Sequence, residues 1–410
     1  MKELPHMHHS NGPRWAVVYL LVVSLCFVAM PHPVTAQTTE YVVIDLGTLD
    51  GGNQSKAFAI NQAGRVVGLS NTAANPSFQN AVYWDAMIVT SMGTFGGSSG
   101  TAFGVNDVGY AVGQADTSSS ETHPFIWSDI FGKKDLGTLG GTFAAAVDIN
   151  SANQVVGQVE SSGPGFLQDR AFVWDKTSGL QLIATLGGSS NAARGISDTG
   201  NIVGFSDTTG GQTHGFLLSG GVLTDIPTLG GSLGIANHIN NAGQVVGYST
   251  LVTGPINPPS HAFLWTQGGG LSDLGTLGGT HSIAYDINAS GIVVGTSEVS
   301  LGVNHAFIYS PQTGMVDLNT LTPGSGWTLV EARGINNKGR VVGFGVNPSG
   351  FTHAFLLSPA VDEIPGGEPP PCFVSPASPI ILPPDPTQLP GVKLQRKPKR
   401  KPLPFYMRPK

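Results

Sequence analysis

Short apolar runs bounded by glycine recur along most of the chain and predict strands rather than helices. Runs such as Gln244-Val245-Val246 are brief and β-branched, which favours extended structure. One pattern returns about every 45 residues along the chain. It consists of a small-residue segment ending in Ile-Asn-x-x-Gly, a Val-Val-Gly strand, a variable loop, a His-Ala-Phe-Leu-Trp strand, and the string Asp-Leu-Gly-Thr-Leu-Gly-Gly. Each copy therefore predicts four strands that form two hairpins.

The first hairpin of each copy turns at an asparagine that glycine follows three residues later. Asparagine at the first position of a type I turn bonds the main chain ahead of it, and a left-handed fourth position requires glycine or asparagine. Ser197 replaces the asparagine in the fourth copy, and Asn153 replaces the glycine in the third. The turn asparagines are Asn61, Asn106, Asn150, Asn240, Asn288 and Asn336. The turn glycines are Gly64, Gly109, Gly200, Gly243, Gly291 and Gly339.

The second hairpin is predicted to pair the aromatic strand with the Leu-Gly-Thr-Leu segment as a fourth strand. Both occur seven times, and Tyr83 takes the place of phenylalanine in the first aromatic strand. The predicted fourth strands lie at 46–49, 92–95, 136–139, 183–186, 226–229, 274–277 and 318–321.

The order of the strand types is offset along the chain. A lone fourth-type strand at 41–49 comes first, and a third-type strand at 353–357 comes last. The first strand can complete the last blade, which closes a ring and leaves no exposed sheet edge. We therefore predict an all-β, seven-bladed β-propeller with four-stranded antiparallel blades, closed by the N-terminal strand. By analogy with WD40-type propellers, the small-residue strand is expected nearest the axis.

The His-Ala-Phe and Asp-Leu-Gly-Thr-Leu-Gly-Gly strings resemble the HAF repeats of bacterial extracellular proteins. The resemblance spans roughly residues 41–359. It implies secretion and a propeller-like array, and it implies no established biochemical activity.

Composition divides the rest of the chain into predicted segments. Residues 1–36 read as a secretory signal, with Lys2 and Arg14 before an apolar run and the small residues Val34-Thr35-Ala36 at its end. A retained membrane anchor is the alternative. The propeller is assigned to 37–360, and cleavage would leave Cys372 as the single cysteine, which excludes an internal disulfide.

The C-terminal part is predicted to be disordered. Residues 361–390 form a proline-rich linker, and 391–410 form a basic tail in a chain whose net charge is −6. Two interpretations stay open, namely binding to an anionic cell-surface polymer or lipid, and a solubilising end. Nucleic-acid binding is not expected, because the body is acidic and the chain is predicted to be exported. The basic residues are Lys393, Arg396, Lys397, Lys399, Arg400, Lys401, Arg408 and Lys410.

Two ionisable residue types recur once per copy. A ring of metal ligands is disfavoured, because equivalent positions on different blades are far apart while zinc ligands lie about 2 Å from one ion. A structural role is preferred, and a His–Asp contact within each blade is a hypothesis, since the two strands are paired. The histidines are His123, His214, His261, His305 and His353. The aspartates are Asp45, Asp135, Asp225, Asp273 and Asp317.

No catalytic, cofactor or metal site is predicted. Asp148-x-Asn150 and Asp286-x-Asn288 resemble the start of a calcium loop but lack its remaining acids, so calcium is a minor alternative. No serine triad or carboxylate pair stands out, and Glu331 is the notable acid on the predicted inner strands.

The prediction for function is a secreted or cell-surface recognition module, expected to be monomeric and not an enzyme. A glycan or protein ligand would bind the face that carries the variable loops, near the channel, because variable loops on a rigid scaffold commonly serve recognition. A purely structural surface protein and a propeller-based carbohydrate-active enzyme are the alternatives, and a cluster of acids in the channel would favour the enzyme. The loops lie at 71–80, 115–122, 160–169, 250–260 and 297–304.

Overall fold

The structure is a computed structural model that describes residues 40–162, 167–252 and 258–360. The predicted signal segment, the proline-rich linker, Cys372 and the basic tail lie outside the described residues. The described residues form seven four-stranded antiparallel sheets, so the predicted β-propeller is confirmed. None of the helices in this part of the chain has the length and apolar character needed to cross a membrane.

The closing blade combines the two ends of the propeller. Strand β1 (Tyr41–Asp45) pairs antiparallel with β28 (Thr352–Pro359), with Val43 opposite Leu357. Strands β26 (Thr328–Ile335) and β27 (Val341–Val346) complete this blade, which we call blade 7. The predicted closure by the N-terminal strand is therefore confirmed.

The other six blades follow one another along the chain. Blade 1 consists of β2 (Ser55–Ile60), β3 (Val66–Ser70), β4 (Asn80–Asp85) and β5 (Ile88–Gly93). Blade 2 consists of β6 (Gly96–Val105), β7 (Ala111–Thr117), β8 (Thr122–Ser128) and β9 (Gly132–Asp135). Blade 3 consists of β10 (Ala144–Ile149), β11 (Val155–Ser162), β12 (Leu167–Asp175) and β13 (Gly179–Leu182).

The second half of the ring repeats this arrangement. Blade 4 consists of β14 (Gly187–Ile196), β15 (Ile202–Thr208), β16 (Thr213–Ser219) and β17 (Val222–Ile226). Blade 5 consists of β18 (Gly234–Ile239), β19 (Gln244–Thr250), β20 (Ser260–Thr266) and β21 (Gly270–Asp273). Blade 6 consists of β22 (Ser282–Ile287), β23 (Val293–Ser300), β24 (Val303–Ser310) and β25 (Gly314–Asp317).

The prediction that the fourth strands lie at the Leu-Gly-Thr-Leu segments is wrong. The fourth strands end at or just after the position of the repeated aspartate, and the Leu-Gly-Thr-Leu segment connects one blade to the next. Asp273 Oδ1 accepts the N–H of Gly275 at 2.8 Å, and the Thr276 hydroxyl donates to the carbonyl of Gly279 at 2.9 Å. These side chains form hydrogen bonds with main-chain groups that would otherwise pair with a neighbouring β-strand. Leu318–Leu321 and Leu49–Gly51 are short 3-10 helices.

The position of Tyr83 in the first aromatic strand is also corrected. Val82 pairs with Gly68, as Phe263 pairs with Gly247, so Val82 occupies the phenylalanine position. Tyr83 lies one residue further on and packs its ring 4.8 Å from that of Trp127 in blade 2. A one-residue change in register places a side chain on the opposite face of the sheet.

The core lies between adjacent blades rather than in one central mass. One cluster joins Val67 and Ala81 of blade 1 to Phe125 and Trp127 of blade 2, and six further clusters continue around the ring. The third-strand phenylalanines are almost fully buried at these seams, where dispersion and apolar burial hold the blades together. They are Phe125, Phe172, Phe216, Phe263, Phe307 and Phe355.

Candidate functional site: the central channel

The first strand of every blade carries a β-bulge at the same position. In blade 5 the pairing of β18 with β19 shifts between Ala236 and His238, which leaves Asn237 as the extra residue. The same shift occurs in the other six blades. A bulge bends the strand and redirects a side chain, and bulges are frequent beside functional sites. The extra residues, which we call the bulge ring, are Phe58, Phe103, Val147, Arg194, Asn237, Tyr285 and Arg333.

The glycine of Val-Val-Gly makes room for this bulge. A Cβ at Gly247 would overlap the carbonyl oxygen of Ile235, and the glycine in each of the other six blades faces the equivalent carbonyl. The ring of Phe263 lies on the opposite strand and pairs with the same glycine. The repeated Val-Val-Gly string therefore fixes the backbone shape that places the bulge ring.

The residue type at the bulge differs between repeats, although its neighbours are nearly constant. The residue before each bulge is an alanine with no exposed surface, as at Ala236 and Ala284. The turn that follows begins with isoleucine or valine and then asparagine in six of the blades. Between these constant positions the chain presents two phenylalanines, a valine, an asparagine, a tyrosine and two arginines.

All seven bulge-ring side chains line one cavity in the channel, which we call the vestibule. Its volume is about 480 Å³, and Ile235, Tyr248 and Ile283 contribute further wall. The first strands run from the loop face towards the asparagine turns, so the first-strand wall residues Ile235 and Ile283 lie on the loop-face side of the bulges. The prediction that the small-residue strands surround the axis is confirmed.

The two arginines of the vestibule have different surroundings. Arg333 Nε donates to Glu331 Oε2 at 2.6 Å, and its guanidinium lies 3.8 Å from the centre of the Tyr285 ring. Arg194 lies 5.4 Å from the centre of the Phe205 ring. Its Nε is buried and has no hydrogen-bond partner among the described residues. Burial, together with the charge of Arg333, lowers the pKa of Arg194.

An ion-pair cluster forms the floor of the vestibule, one residue beyond the bulge ring. His238 Nδ1 lies 2.8 Å from Asp286 Oδ1, off the direction of the N–H bond, and His238 Nε2 lies 3.7 Å from Asp148 Oδ2. These three residues line both the vestibule and a second cavity of about 210 Å³ at the asparagine turns. The cluster therefore separates the two cavities.

The three floor residues have displaced pKa values. Burial alone would lower the pKa of His238, but the charges of Asp286 and Asp148 outweigh it and raise the pKa to about 9. Burial raises the pKa of Asp148, and the attraction of His238 offsets only part of this effect. For Asp286, burial raises the pKa, but the charge and contact of His238 together with the N–H groups of Ile335 and Ile287 outweigh it, so the pKa is lowered. The His238 side chain keeps 29% of its surface exposed, within the channel.

The two aspartates that resemble the start of a calcium loop contact main-chain N–H groups. Asp148 Oδ1 and Oδ2 accept the N–H groups of Ile149 and Ile196, at 2.8 Å each. Asp286 makes the equivalent pair of contacts, including 2.8 Å to Ile335 of the next blade. Within the part of the chain that the structure describes, no group of three or more His, Cys, Asp or Glu side chains is arranged to hold a metal ion.

The turn asparagines form an inter-blade chain at the other end of the channel. Each side-chain amide donates to the main-chain carbonyl of the equivalent residue in the next blade, for example Asn61 Nδ2 to Asn106 O at 3.0 Å. Five further steps continue from Asn106, Asn150, Asn240, Asn288 and Asn336. The Oδ1 atom of each asparagine meanwhile accepts N–H groups of its own turn, as at Arg65 and Gln244.

The repeated histidines and aspartates lie together in pairs, as the sequence hypothesis proposes. The His261 ring Nδ1 is 2.8 Å from Asp273 Oδ2, and four other pairs have the same geometry. The pair His353–Asp45 joins strands from the two ends of the propeller at 3.0 Å. Four of the aspartates also accept an N–H group of the turn after their strand, whereas Asp225 is followed by Pro227, which has no N–H at that position. These contacts favour a structural role for the pairs.

Sequence reasoning missed the vestibule residues. The sequence pattern points to Glu331, Asp148 and Asp286, but it does not point to Arg194, Tyr285 or Arg333. A signal was present, since large or charged residues stand between a constant alanine and a constant Ile-Asn within the repeats. No particular amino acid marks the bulge position, so the sequence pattern alone does not show that these side chains face the channel.

The fold and its channel define this chain as a β-propeller. No protein-family model and no curated protein matches its sequence. Among solved structures, TolB from Acinetobacter baumannii is 13% identical, with a TM-score of 0.41, over 72% of this chain and 63% of that one. The Pyrococcus horikoshii acylaminoacyl peptidase is 10% identical, with a TM-score of 0.49, over 77% of this chain and 52% of that one. The Aleuria aurantia lectin is 9% identical, with a TM-score of 0.30, over 78% and 98%. Likeness at this level concerns the fold alone.

Proposed function

We propose that this chain is a recognition module that acts outside the cell and binds a glycan or protein ligand in the vestibule. The observation that carries the proposal is the bulge ring, in which seven equivalent backbone bulges direct side chains of five different types into one cavity. A purely structural propeller needs no such divergence at positions that face a channel. The extracellular location and membership in the HAF-repeat family remain parts of the proposal.

The vestibule has the composition of a binding site. Its volume of about 480 Å³ falls within the range of about 300–1,000 Å³ that is usual for ligand pockets. Phenylalanine, tyrosine, valine and isoleucine side chains supply apolar wall, while Arg194 and Asn237 supply polar groups. The floor cluster lies between the vestibule and the cavity at the asparagine turns, so we expect a ligand to enter from the loop face.

The variable loops would form the rim of this entrance. Their bases also serve the fold, because Asn71 Oδ1 accepts the N–H of Gln54 at 2.9 Å and Glu298 Oε2 accepts that of Thr280 at 3.0 Å. Replacing the whole loops by glycine and serine would therefore change stability as well as binding. Replacements that keep Asn71 and Glu298 test recognition alone.

The experiment is a binding screen of the full chain against a glycan array and a panel of extracellular proteins. Val147→Trp fills the vestibule from one wall and should abolish the captured signal. Val222→Trp is the matched control, because Val222 is 65% exposed on an outer strand. Equal capture by both variants would contradict a site in the vestibule, and no capture by the wild type in either screen would favour a structural surface protein.

A carbohydrate-active enzyme is the second candidate, and one observation favours it. Asp148 and Asp286 lie in the channel with pKa values displaced in opposite directions, which is the arrangement expected of an acid and base pair. Glycan hydrolysis by the wild type that is lost in Asp148→Asn would support it. Binding without turnover, unchanged by that substitution, would leave recognition as the function.

A further inference from the structure

We infer that the vestibule recognises the acidic end of a carbohydrate, a sugar unit that carries a carboxylate, and that Arg194 pairs with this carboxylate. The inference rests on the proposed function and specifies the ligand chemistry of the same cavity. It follows from the one cationic group in the bulge ring that lacks a carboxylate partner among the described residues.

The first step of the argument is the contrast between the two arginines. Glu331 already pairs with Arg333 at 2.6 Å, so the charge of Arg333 is satisfied. Among the described residues, Asp169 attracts Arg194 but forms no direct ion pair with it, and the buried Nε of Arg194 has no hydrogen-bond partner there. A buried cation without a partner is costly, whereas a charge-assisted bond to a carboxylate is among the strong interactions of its kind.

The second step is the set of neutral donors around that charge. Tyr248 and Tyr285 line the same cavity, and burial raises the pKa of both hydroxyls, which keeps them protonated. The Arg333 guanidinium lies 3.8 Å from the centre of the Tyr285 ring, and the Tyr285 hydroxyl also interacts with Glu331. Tyr248 is therefore the neutral hydroxyl that shares the cavity with Arg194. A ligand with a carboxylate and several hydroxyls would find both charged and neutral partners.

The third step concerns the body of the ligand. The rings of Phe58 and Phe103 lie 5.7 Å apart and tilted by 54°, and both face the vestibule. Aromatic faces pack well against the C–H faces of a sugar ring. Asn237 Nδ2 donates to the carbonyl of Ala284 at 2.8 Å, which orients its amide oxygen as an acceptor for a hydroxyl. Apolar faces beside a cation and an amide favour a carboxylated sugar over a small inorganic anion.

The floor limits how much charge the site accepts. Asp286 is ionised beside protonated His238, so this pair is close to neutral, and Asp148 lies on the far side of the same imidazole. A ligand with one carboxylate would be directed towards Arg194 rather than the floor. A ligand with several anionic groups would meet the carboxylates of the floor and of Glu331.

The test compares methyl glucuronoside with methyl glucoside by titration calorimetry on the full chain. The two probes differ by one carboxylate, and the acidic sugar should bind at least about tenfold more tightly. Arg194→Gln should reduce this ratio to near one. Arg194→Lys keeps the charge and should retain part of the preference. Lys338→Gln is the control, because it removes an equal charge from an exposed turn on the other face.

Each alternative outcome has a defined meaning. Equal binding of both sugars to the wild type, or an unchanged ratio in a folded Arg194→Gln variant, would overturn the carboxylate assignment and leave the vestibule as the binding site. Binding of a peptide with a free C-terminal carboxylate, but of neither sugar, would overturn the carbohydrate assignment. Loss of array binding in Val147→Trp without any preference for acidic sugars would support the proposed function while overturning this inference.

Discussion

The side-chain amide of Asn336 donates to the main-chain carbonyl of Asn61 across 275 residues of sequence, at 3.1 Å. This bond joins blade 7 to blade 1 and makes the same contact that five other asparagines make between consecutive blades. The ring is therefore closed twice, by β1 at the outside of blade 7 and by Asn336 at the channel.

Asn336→Ala should destabilise the propeller by about 1–3 kcal/mol, because the carbonyl of Asn61 loses one of its two donors and the turn N–H groups of Lys338 and Arg340 lose their side-chain acceptor. Urea unfolding of the full chain measures the change. Asn201→Ala is the matched control, since the Asn201 amide contacts only Thr199 of its own turn at 3.2 Å. A loss in Asn336→Ala no larger than in this control would show that the inter-blade bond adds little.

The turn of the fourth blade has no side-chain amide to bond the next blade, because Ser197 replaces the asparagine there. The joint between blades 4 and 5 instead has a reciprocal pair, in which Asp198 N donates to Asn241 Oδ1 at 2.8 Å and Asn241 Nδ2 donates to Asp198 Oδ2 at 2.9 Å. Ser197→Asn should add the missing bond to the carbonyl of Asn240 and stabilise the chain by about 0.5–1.5 kcal/mol. A decrease in the unfolding midpoint would mean that the fourth turn cannot seat the amide.

The floor cluster should make stability depend on alkaline pH. The pKa of His238 is raised to about 9 in the folded protein, against about 6.5 for an unfolded histidine. A raised histidine pKa contributes stability that is complete below the unfolded value and is lost as the pH rises through the folded one. The free energy of unfolding should therefore fall by about 1–3 kcal/mol between pH 6.5 and 9.5.

His238→Gln isolates this effect from other groups that titrate in the same range. Burial lowers the pKa of Lys133 to about 8, so its charge changes in that window as well. The wild type minus His238→Gln difference removes the Lys133 contribution, which is common to both proteins. A difference that stays constant from pH 6.5 to 9.5 would contradict the ion-pair role of His238.

The aspartate of the His261–Asp273 pair should stabilise the protein in two ways that can be separated, through its contact with histidine and through its hydrogen bond to the turn. Asp273→Ala removes both the contact with His261 and the acceptor for Gly275 N, and should cost about 1–2 kcal/mol. Asp273→Asn keeps an acceptor oxygen for the turn and should cost less than half as much. Equal losses in the two variants, measured by thermal unfolding, would assign the whole effect to the ion pair. An unchanged Asp273→Ala protein would remove the pair from any structural role.

The sequence allowed the architecture to be predicted because its determinants are local and repeated. Asn-x-x-Gly specifies a turn, Val-Val-Gly specifies a short strand, and the offset between the first and last strands specifies closure. The prediction misplaces the fourth strands because Leu274 and Leu277 are apolar, as strand residues often are. Asp273 and Thr276 form turn hydrogen bonds there, which hydropathy does not record.

The vestibule could not be predicted in the same way. The partnerless Nε of Arg194 and the ion pairs of His238 depend on residues from other blades, which a linear pattern does not bring together. The bulge that exposes Arg194 arises from the fit between one strand and the glycine opposite it. This fit depends on the three-dimensional structure, although the bulged strand and the glycine both belong to the repeated sequence.

The glycine opposite each bulge gives the last prediction, which links backbone shape to the binding site. Gly247→Ala would force the new Cβ against the carbonyl oxygen of Ile235, with the buried ring of Phe263 on the facing strand. The cost should reach about 3 kcal/mol, because backbone rather than a flexible side chain must move. Gly210→Ala is the control, since the nearest atom to a Cβ there is a threonine hydroxyl at 3.8 Å.

The same substitution should also displace Asn237, the bulge residue of blade 5. Ligand affinity measured at a temperature where the variant remains folded should therefore fall, although Gly247 itself lies outside the vestibule. A folded Gly247→Ala protein with wild-type stability and affinity would show that the bulge forms without the glycine. The bulge ring would then owe its geometry to contacts between blades rather than to the Val-Val-Gly string.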